Sequence, residues 1–83
     1  MALIDDVRRL LRARFPGARL QLENVPPDRV GGSLVWDEFG GVPQIDRQTQ
    51  LRNVIDSLPV GQQLRVSFIL TLTKDERAAL ATA

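Results

Sequence analysis

The 83 residues include no histidine and no cysteine, so the side chains left for chemistry are mainly carboxylates and arginines. Without histidine, no side chain has an ordinary pKa near neutral pH, and the usual general base is missing. Without cysteine, there is no thiolate nucleophile and no zinc site built from nitrogen and sulfur ligands. These absences exclude Ser-His-Asp and Cys-His catalysis and favour a binding or scaffolding module without a cofactor.

Two pairs of adjacent carboxylates remain as catalytic candidates: Asp37 with Glu38, and Asp75 with Glu76. Paired carboxylates can hydrolyse glycosides or hold Mg²⁺. Neighbours on a strand point to opposite faces, so the first pair does not converge, and Asp37 is better suited to cap the turn after it. The second pair falls in the first turn of a predicted helix, where acidic residues favour the helix dipole. We therefore predict that the protein is not an enzyme.

Arginines crowd the first quarter of the chain and form its best electrostatic candidate. Arg8 and Arg12 lie one turn apart on a predicted helix, with Arg9 beside them. Such a stripe can contact phosphate or an acidic partner. It is also the ordinary solvated side of an amphipathic helix, and Asp5 can pair with Arg9. A net charge of +1 gives no general attraction to nucleic acid, so it does not favour the phosphate contact. Both interpretations, a contact surface and a solvated helix face, stay open.

The elements that position these residues follow one another without a linker or a repeat. Apolar spacing predicts a helix over 3–15, which Pro16 and Gly17 end. Alternation predicts strands over 18–23 and 33–36, joined by a proline-containing loop into an antiparallel hairpin. A second helix is predicted to begin at Pro43 and to end at residues 59–61. A long strand from residue 63, expected in the sheet interior, leads to a short helix opened by a capping box of Thr73 and Glu76.

The sequence also predicts a turn before the second helix and indicates which side chains face the core. Gly40 and Gly41 lack the spacing and the lysine of a phosphate-binding loop, so they are interpreted as a turn. Trp36 shares a strand face with Leu34 and is predicted to be a core residue with its N–H bonded at the rim, the alternative being a surface platform for a partner. In the second helix the predicted apolar face consists of Ile45, Leu51, Val54, Ile55 and Leu58, with Arg47 opposite. In the last strand the predicted apolar face consists of Leu64, Val66, Phe68, Leu70 and Leu72.

Length and composition predict a single domain over residues 1–83. The N-terminal stretch mixes apolar and charged residues, unlike a signal peptide. No apolar run is long enough to cross a bilayer, so we expect no membrane association. Because a chain without cysteine forms no disulfide, the cytoplasm is its expected compartment.

The central block resembles the BolA-like proteins. Phe39, Gly41, Ile45, Arg47 and Leu51 match the register Phe-x-Gly-x-x-x-Val-x-Arg-His-Arg-x-Val of that family. Residues 64–76, LRVSFILTLTKDE, resemble the family's last strand and its Thr-Pro-Glu-Glu ending. The resemblance spans essentially the whole chain. It implies an α+β fold related to the type II KH domain, of order α-β-β-α-β-α, with a three-stranded sheet packed on helices.

The resemblance also implies a class of partner. BolA-like proteins are known as partners of monothiol glutaredoxins in iron–sulfur cluster binding, and some are DNA-binding regulators. Where the family has Arg-His-Arg, residues 47–49 are Arg-Gln-Thr, and where it often places a histidine on the last strand, this chain has Arg65. The hairpin loop, which supplies a further ligand in cluster-binding members, holds Pro-Pro-Asp at 26–28. The family's ligand positions are therefore occupied by residues poorly suited to iron.

Two functions follow as hypotheses. The first is a non-catalytic BolA-like protein-interaction or regulatory module that has lost cluster ligation, with a monothiol glutaredoxin-like partner. Its contact surface would be the helix containing Arg47 and Gln48 and the end of the last strand. The alternative is a KH-like nucleic-acid-binding module that contacts phosphate through the surface arginines Arg8, Arg12, Arg47 and Arg52, although the Gly-x-x-Gly loop of KH domains is absent. The candidate contact residues for either function are Arg8, Arg12, Phe39, Gly41, Arg47, Gln48, Arg52 and Arg65.

Overall fold

The computed structural model describes residues 3–82 and arranges them as a three-stranded mixed sheet with four helices. The α-β-β-α-β-α order is confirmed, with one additional short helix before the last strand. The domain predicted over 1–83 includes residues 1, 2 and 83, which lie outside the described part of the chain. The elements in chain order are α1 (Leu3–Arg14), β1 (Arg19–Val25), β2 (Arg29–Val35), a 3-10 turn (Asp37–Phe39), α2 (Gln44–Ile55), α3 (Val60–Gln63), β3 (Val66–Leu72) and α4 (Lys74–Thr82).

Helix α1 forms as the periodicity predicts. Leu3, Val7 and Leu11 repeat every four residues and are buried, and Phe15, just beyond the helix, continues the same stripe into the core. Acidic residues occupy its first turn and arginines its last, which complements the helix dipole. Helices α1 and α2 contact each other and pack against β1 and β3, so the core lies between them and one face of the sheet.

The sheet has the order β1-β2-β3. Strands β1 and β2 form the predicted antiparallel hairpin, and β2 pairs with β3 in parallel. The prediction that β3 lies in the sheet interior is wrong, because β2 is the central strand and β3 is an edge. Apolar residues on both faces of a strand usually indicate burial on both sides, but here one of those faces is largely exposed.

A bulge explains why the predicted apolar face of β3 is also wrong. Val30 pairs with Val66, whereas Gly32 pairs with Ile69, so β3 gains one residue between the two pairs. The extra residue reverses the alternation, and Ile69 faces the core at 1% exposure. Phe68 and Leu70 then point away from the core and are 65% and 42% exposed. A face that the alternation alone assigns to the interior is therefore a surface.

Trp36 adopts the predicted core position with its polar edge at the rim. Its Nε1–H donates to the Pro16 carbonyl at 2.9 Å. Its ring lies 5.1 Å from that of Phe15 and 5.2 Å from that of Phe39, both in edge-to-face geometry. Gly41 follows with a φ of +78°, a left-handed conformation that favours glycine, which agrees with the turn interpretation. The aromatic cluster thus anchors the turn that leads into α2.

Candidate functional site

Arg47 is at the centre of the polar structure beneath α2. Its side chain is 5% exposed. Its Nε donates to the Val42 carbonyl at 2.7 Å, and its Nη2 donates to the Phe39 carbonyl at 2.9 Å. Its Nη1 donates to the Thr71 carbonyl at 3.2 Å and to Glu76 Oε1 at 2.6 Å, while Nη2 also reaches Glu76 Oε2 at 3.3 Å. The planar guanidinium therefore ties the turn before α2 to β3 and to α4.

Two predicted contact residues are thereby reassigned. Arg47 and Phe39 are 4% and 1% exposed, so neither side chain is available to a partner or to phosphate. The prediction that Arg47 lies on the polar face of α2 is wrong, because Arg47 shares a helical stripe with the buried Leu51, one turn later. Ile45, which was assigned to the apolar face, is instead 76% exposed.

Glu76 accepts hydrogen bonds from Arg47 and also caps the start of α4. The predicted capping box is confirmed: the Thr73 N–H donates to Glu76 Oε1 at 2.8 Å, and the Glu76 N–H donates to Thr73 Oγ1 at 3.2 Å. The hydrogen bond from Arg47, followed by that from the Thr73 backbone, lowers the pKa of Glu76 from 4.5 to about 2. The sequence pattern indicates the cap but not the arginine.

This pKa predicts a specific acid sensitivity. The folded-state pKa lies below the unfolded one, so the stability from ionised Glu76 is complete above 4.5 and is lost as the pH falls toward about 2. Over that window we expect the urea midpoint of the wild type to fall more steeply than that of Glu76→Gln. Asp75→Asn is the control, since Asp75 makes no ion pair among the described residues. Equal slopes for the wild type and Glu76→Gln would contradict the assignment.

Side chains of α2 bond to two carbonyls at the free edge of β3. The Trp36 N–H donates to the Leu72 carbonyl, so the alternation of a parallel ladder turns the backbone of Thr71 and Ile69 away from β2. Gln44 Nε2 donates to the Thr71 carbonyl at 2.7 Å, and Gln48 Nε2 donates to the Ile69 carbonyl at 3.1 Å. A partner strand cannot use these carbonyls without displacing the amides. At these two carbonyls the amides therefore disfavour pairing with an added strand.

Beside this edge lies a groove of about 640 Å³ between α2 and β3, here called the α2–β3 groove. Three of its lining side chains are large, apolar and exposed: Ile45 at 76%, Leu64 at 71% and Phe68 at 65%. Two predicted contact residues also line it, the partly buried Gln48 and the exposed Arg52. Sequence reasoning missed the apolar residues of this surface. The sequence offers one signal that Ile45 is exposed: it does not lie on the helical stripe that Arg47 and Leu51 share.

Arg65 connects the start of β3 with the hairpin loop, the two other regions where the family resemblance expects cluster ligands. Its Nε donates to the Asp28 carbonyl at 2.7 Å and lies 3.7 Å from Asp28 Oδ2. The residue that precedes β3 is therefore bonded to the hairpin loop between β1 and β2. Gln48, at the position of the family's histidine in the Arg-His-Arg motif, uses its amide on Ile69 and on Thr71 Oγ1. Within residues 3–82, no three His, Cys, Asp or Glu side chains cluster as a metal site would require.

The arginines of α1 are not joined to Arg47 in a common surface. Arg8 pairs with Asp5 at 3.2 Å and Arg9 pairs with Asp6 at 3.1 Å, so the predicted pairing of Asp5 with Arg9 is wrong. Arg12 is exposed without an ion pair among the described residues. Of the four arginines of the nucleic-acid hypothesis, Arg47 is buried, whereas Arg12 and Arg52 remain exposed and Arg8 is half-buried.

Comparison with known proteins adds no assignment: no protein-family model matches the chain, and no curated protein gives a significant match. The membership suggested by the BolA-like register thus stays a prediction. Among the described helices, none has the length and apolar character that a membrane span requires.

Proposed function

We propose that this protein is a non-catalytic, BolA-like interaction or regulatory module that binds a protein partner through the α2–β3 groove. The observation that carries the proposal is the convergence of Ile45, Leu64 and Phe68 on one groove. Of the six large apolar side chains that the described residues leave exposed, these three line the same concave surface. Apolar side chains gathered at one place mark interaction sites more often than scattered ones do.

The composition of the groove fits a protein partner. Burying a large aliphatic or aromatic side chain contributes about 1.5–3 kcal/mol, and Arg52 at the groove offers the kind of charged anchor common in interfaces. Because Gln44 and Gln48 occupy the carbonyls of the β3 edge, the partner is recognised by side chains rather than by an added strand.

The proposed partner is a monothiol glutaredoxin-like protein, and the proposed role excludes ligation of its iron–sulfur cluster. This choice rests on the family resemblance together with the Arg65–Asp28 contact, in which both positions that could approach a cluster are bonded to each other. Neither an amide at position 48 nor a guanidinium at position 65 is a good iron ligand. We further propose that the module acts in the cytoplasm, where a chain without cysteine is at no disadvantage.

Phe68→Ser is expected to weaken binding to a cluster-loaded monothiol glutaredoxin about tenfold or more. Affinity is measured by calorimetry, and the surface by NMR shifts of the labelled protein. Leu80→Ser is the matched control, because Leu80 is 58% exposed but lies on α4, away from the groove. Both variants alter exposed side chains, so circular dichroism should show an intact fold for each.

Several outcomes would overturn the proposal. If Phe68→Ser and Leu80→Ser lost the same affinity, the groove would not be the interface. If the wild type did not bind, a monothiol glutaredoxin-like protein would not be the partner. If mixing changed the absorbance of the glutaredoxin's cluster in the way that a new ligand does, this chain would be ligating the cluster. That result would contradict the proposed loss of ligation. Salt-sensitive shifts on titration with a DNA or RNA duplex, confined to Arg12 and Arg52, would favour the nucleic-acid alternative instead.

A further inference from the structure

A second cavity, of about 790 Å³, lies between the end of β2 and α4, and neither the groove nor the Arg47 network uses it. Its size falls within the range of small-molecule sites. Val35 and Trp36 give it an apolar wall. The charged residues that line it are Arg19, Asp37, Glu38, Lys74 and Arg77.

Arg77 is the unusual member of this lining. Its Nη1 is buried and has no hydrogen-bond partner among the described residues. A buried donor without a partner carries a desolvation cost of about 1–3 kcal/mol, and such groups in native proteins call for an explanation. Because Nη1 has no partner to give up, the guanidinium can turn toward an anion in the cavity without losing a bond there.

The other charges of the cavity define which anion fits. Lys74 is committed to Asp37: its backbone N–H donates to Asp37 Oδ1 at 3.2 Å, and its Nζ lies 3.6 Å from Asp37 Oδ2. The remaining charged residues of the lining are two arginines, Arg19 and Arg77, and one carboxylate, that of Glu38. The excess of one positive charge suits a monoanion.

The apolar wall of the cavity suits a ring. The indole N–H of Trp36 is already bonded to Pro16, so the part of Trp36 that lines the cavity has only apolar contact to offer. Its ring is held by Phe15 and Phe39 and is therefore a rigid surface.

We propose that this cavity binds a small aromatic carboxylate, with the carboxylate on Arg77 and the ring against Trp36 and Val35. The site is independent of the proposed function, because it shares no lining residue with the α2–β3 groove. A planar guanidinium recognises a carboxylate through two parallel hydrogen bonds, which gives the site its orientation.

Trp36 is the only tryptophan of the chain, so its fluorescence reports on the cavity. Phenylacetate is the probe, and phenylacetamide is its neutral isostere. We expect phenylacetate to change the Trp36 emission saturably and phenylacetamide to bind at least about tenfold more weakly. Chemical shifts of the Trp36 indole N–H and the Gly17 amide provide a second readout if the emission is insensitive.

Arg77→Gln should weaken phenylacetate binding about tenfold, while Arg52→Gln, which removes an arginine from the other groove, should leave it unchanged. Arg77→Met tests the fold separately: it removes the unpartnered donor, so the urea midpoint should not fall. Equal binding of phenylacetate and phenylacetamide, or of the wild type and Arg77→Gln, would overturn the proposal. So would the absence of any response in both readouts, or binding of acetate or inorganic phosphate as tight as that of phenylacetate.

Discussion

Replacing Arg47 with alanine is expected to lower the free energy of unfolding by about 3 kcal/mol or more. The change removes the donors for three backbone carbonyls, those of Phe39, Val42 and Thr71. Two of these bonds are buried and the third is partly buried. The Phe39 and Thr71 carbonyls each keep one other donor, the Val42 N–H and Gln44 Nε2. The Val42 carbonyl loses its side-chain donor and Glu76 loses its charged partner, and a polar group left without its partner away from water loses its hydration without replacement. For a domain of this size, such a loss is a large part of the total stability.

Urea unfolding followed by circular dichroism measures this effect. Arg47→Lys should recover only part of the loss, because an ammonium does not reproduce the planar fork that reaches all three carbonyls. Arg52→Ala, on the exposed side of the same helix, should stay within about 0.5 kcal/mol of the wild type. If Arg47→Ala were as stable as Arg52→Ala, the buried network would not support the fold as described.

Replacing Gly32 with alanine should also destabilise the fold, by about 3 kcal/mol. Gly32 lies in the central strand with a φ of +145°, and a Cβ there would lie 1.9 Å from the Gln21 carbonyl oxygen. The nearest atoms are backbone atoms of β1, so no side chain can move aside to make room. Strand β1 would have to shift away from β2, with loss of ladder hydrogen bonds near Leu22, the residue that pairs with Gly32.

Gly61→Ala is the matched control for this change. Gly61 lies in α3, and no atom lies within 4 Å of an added Cβ. Alanine favours a helix over glycine, so Gly61→Ala should be neutral or slightly stabilising. Thermal unfolding of both variants provides the comparison. A Gly32→Ala protein that melts with Gly61→Ala would show that β1 does not approach β2 as closely as the structure places it.

Local signals predicted the order of the elements well, although α2 ends at Ile55 rather than at 59–61 and β2 begins at Arg29 rather than at residue 33. The four-residue spacing of Leu3, Val7 and Leu11 indicates α1 and predicts which side of the helix is apolar. Thr73 and Glu76 form their capping box because both partners lie within a single turn. Such features depend on neighbours in the chain, which is why they can be predicted from order and spacing.

The candidate site was predicted much less well, and Arg47 shows why. A charged residue in a helix is ordinarily assigned to the solvent side, yet its carbonyl partners come from the preceding turn and from β3, 24 residues further along the chain. Ile45 shows the reverse case. It matches an apolar position of the family register but lies on the open side of α2.

Composition, periodicity and caps therefore specified the α-β-β-α-β-α order and the absence of histidine and cysteine chemistry. Tertiary structure alone decided that β3 lies at the sheet edge, that a bulge turns Phe68 outward, and that Arg47 is buried. The physical reason is range. Helix turns and caps are formed by residues close together in sequence, whereas strand order, register and burial depend on segments that meet only when the chain has folded.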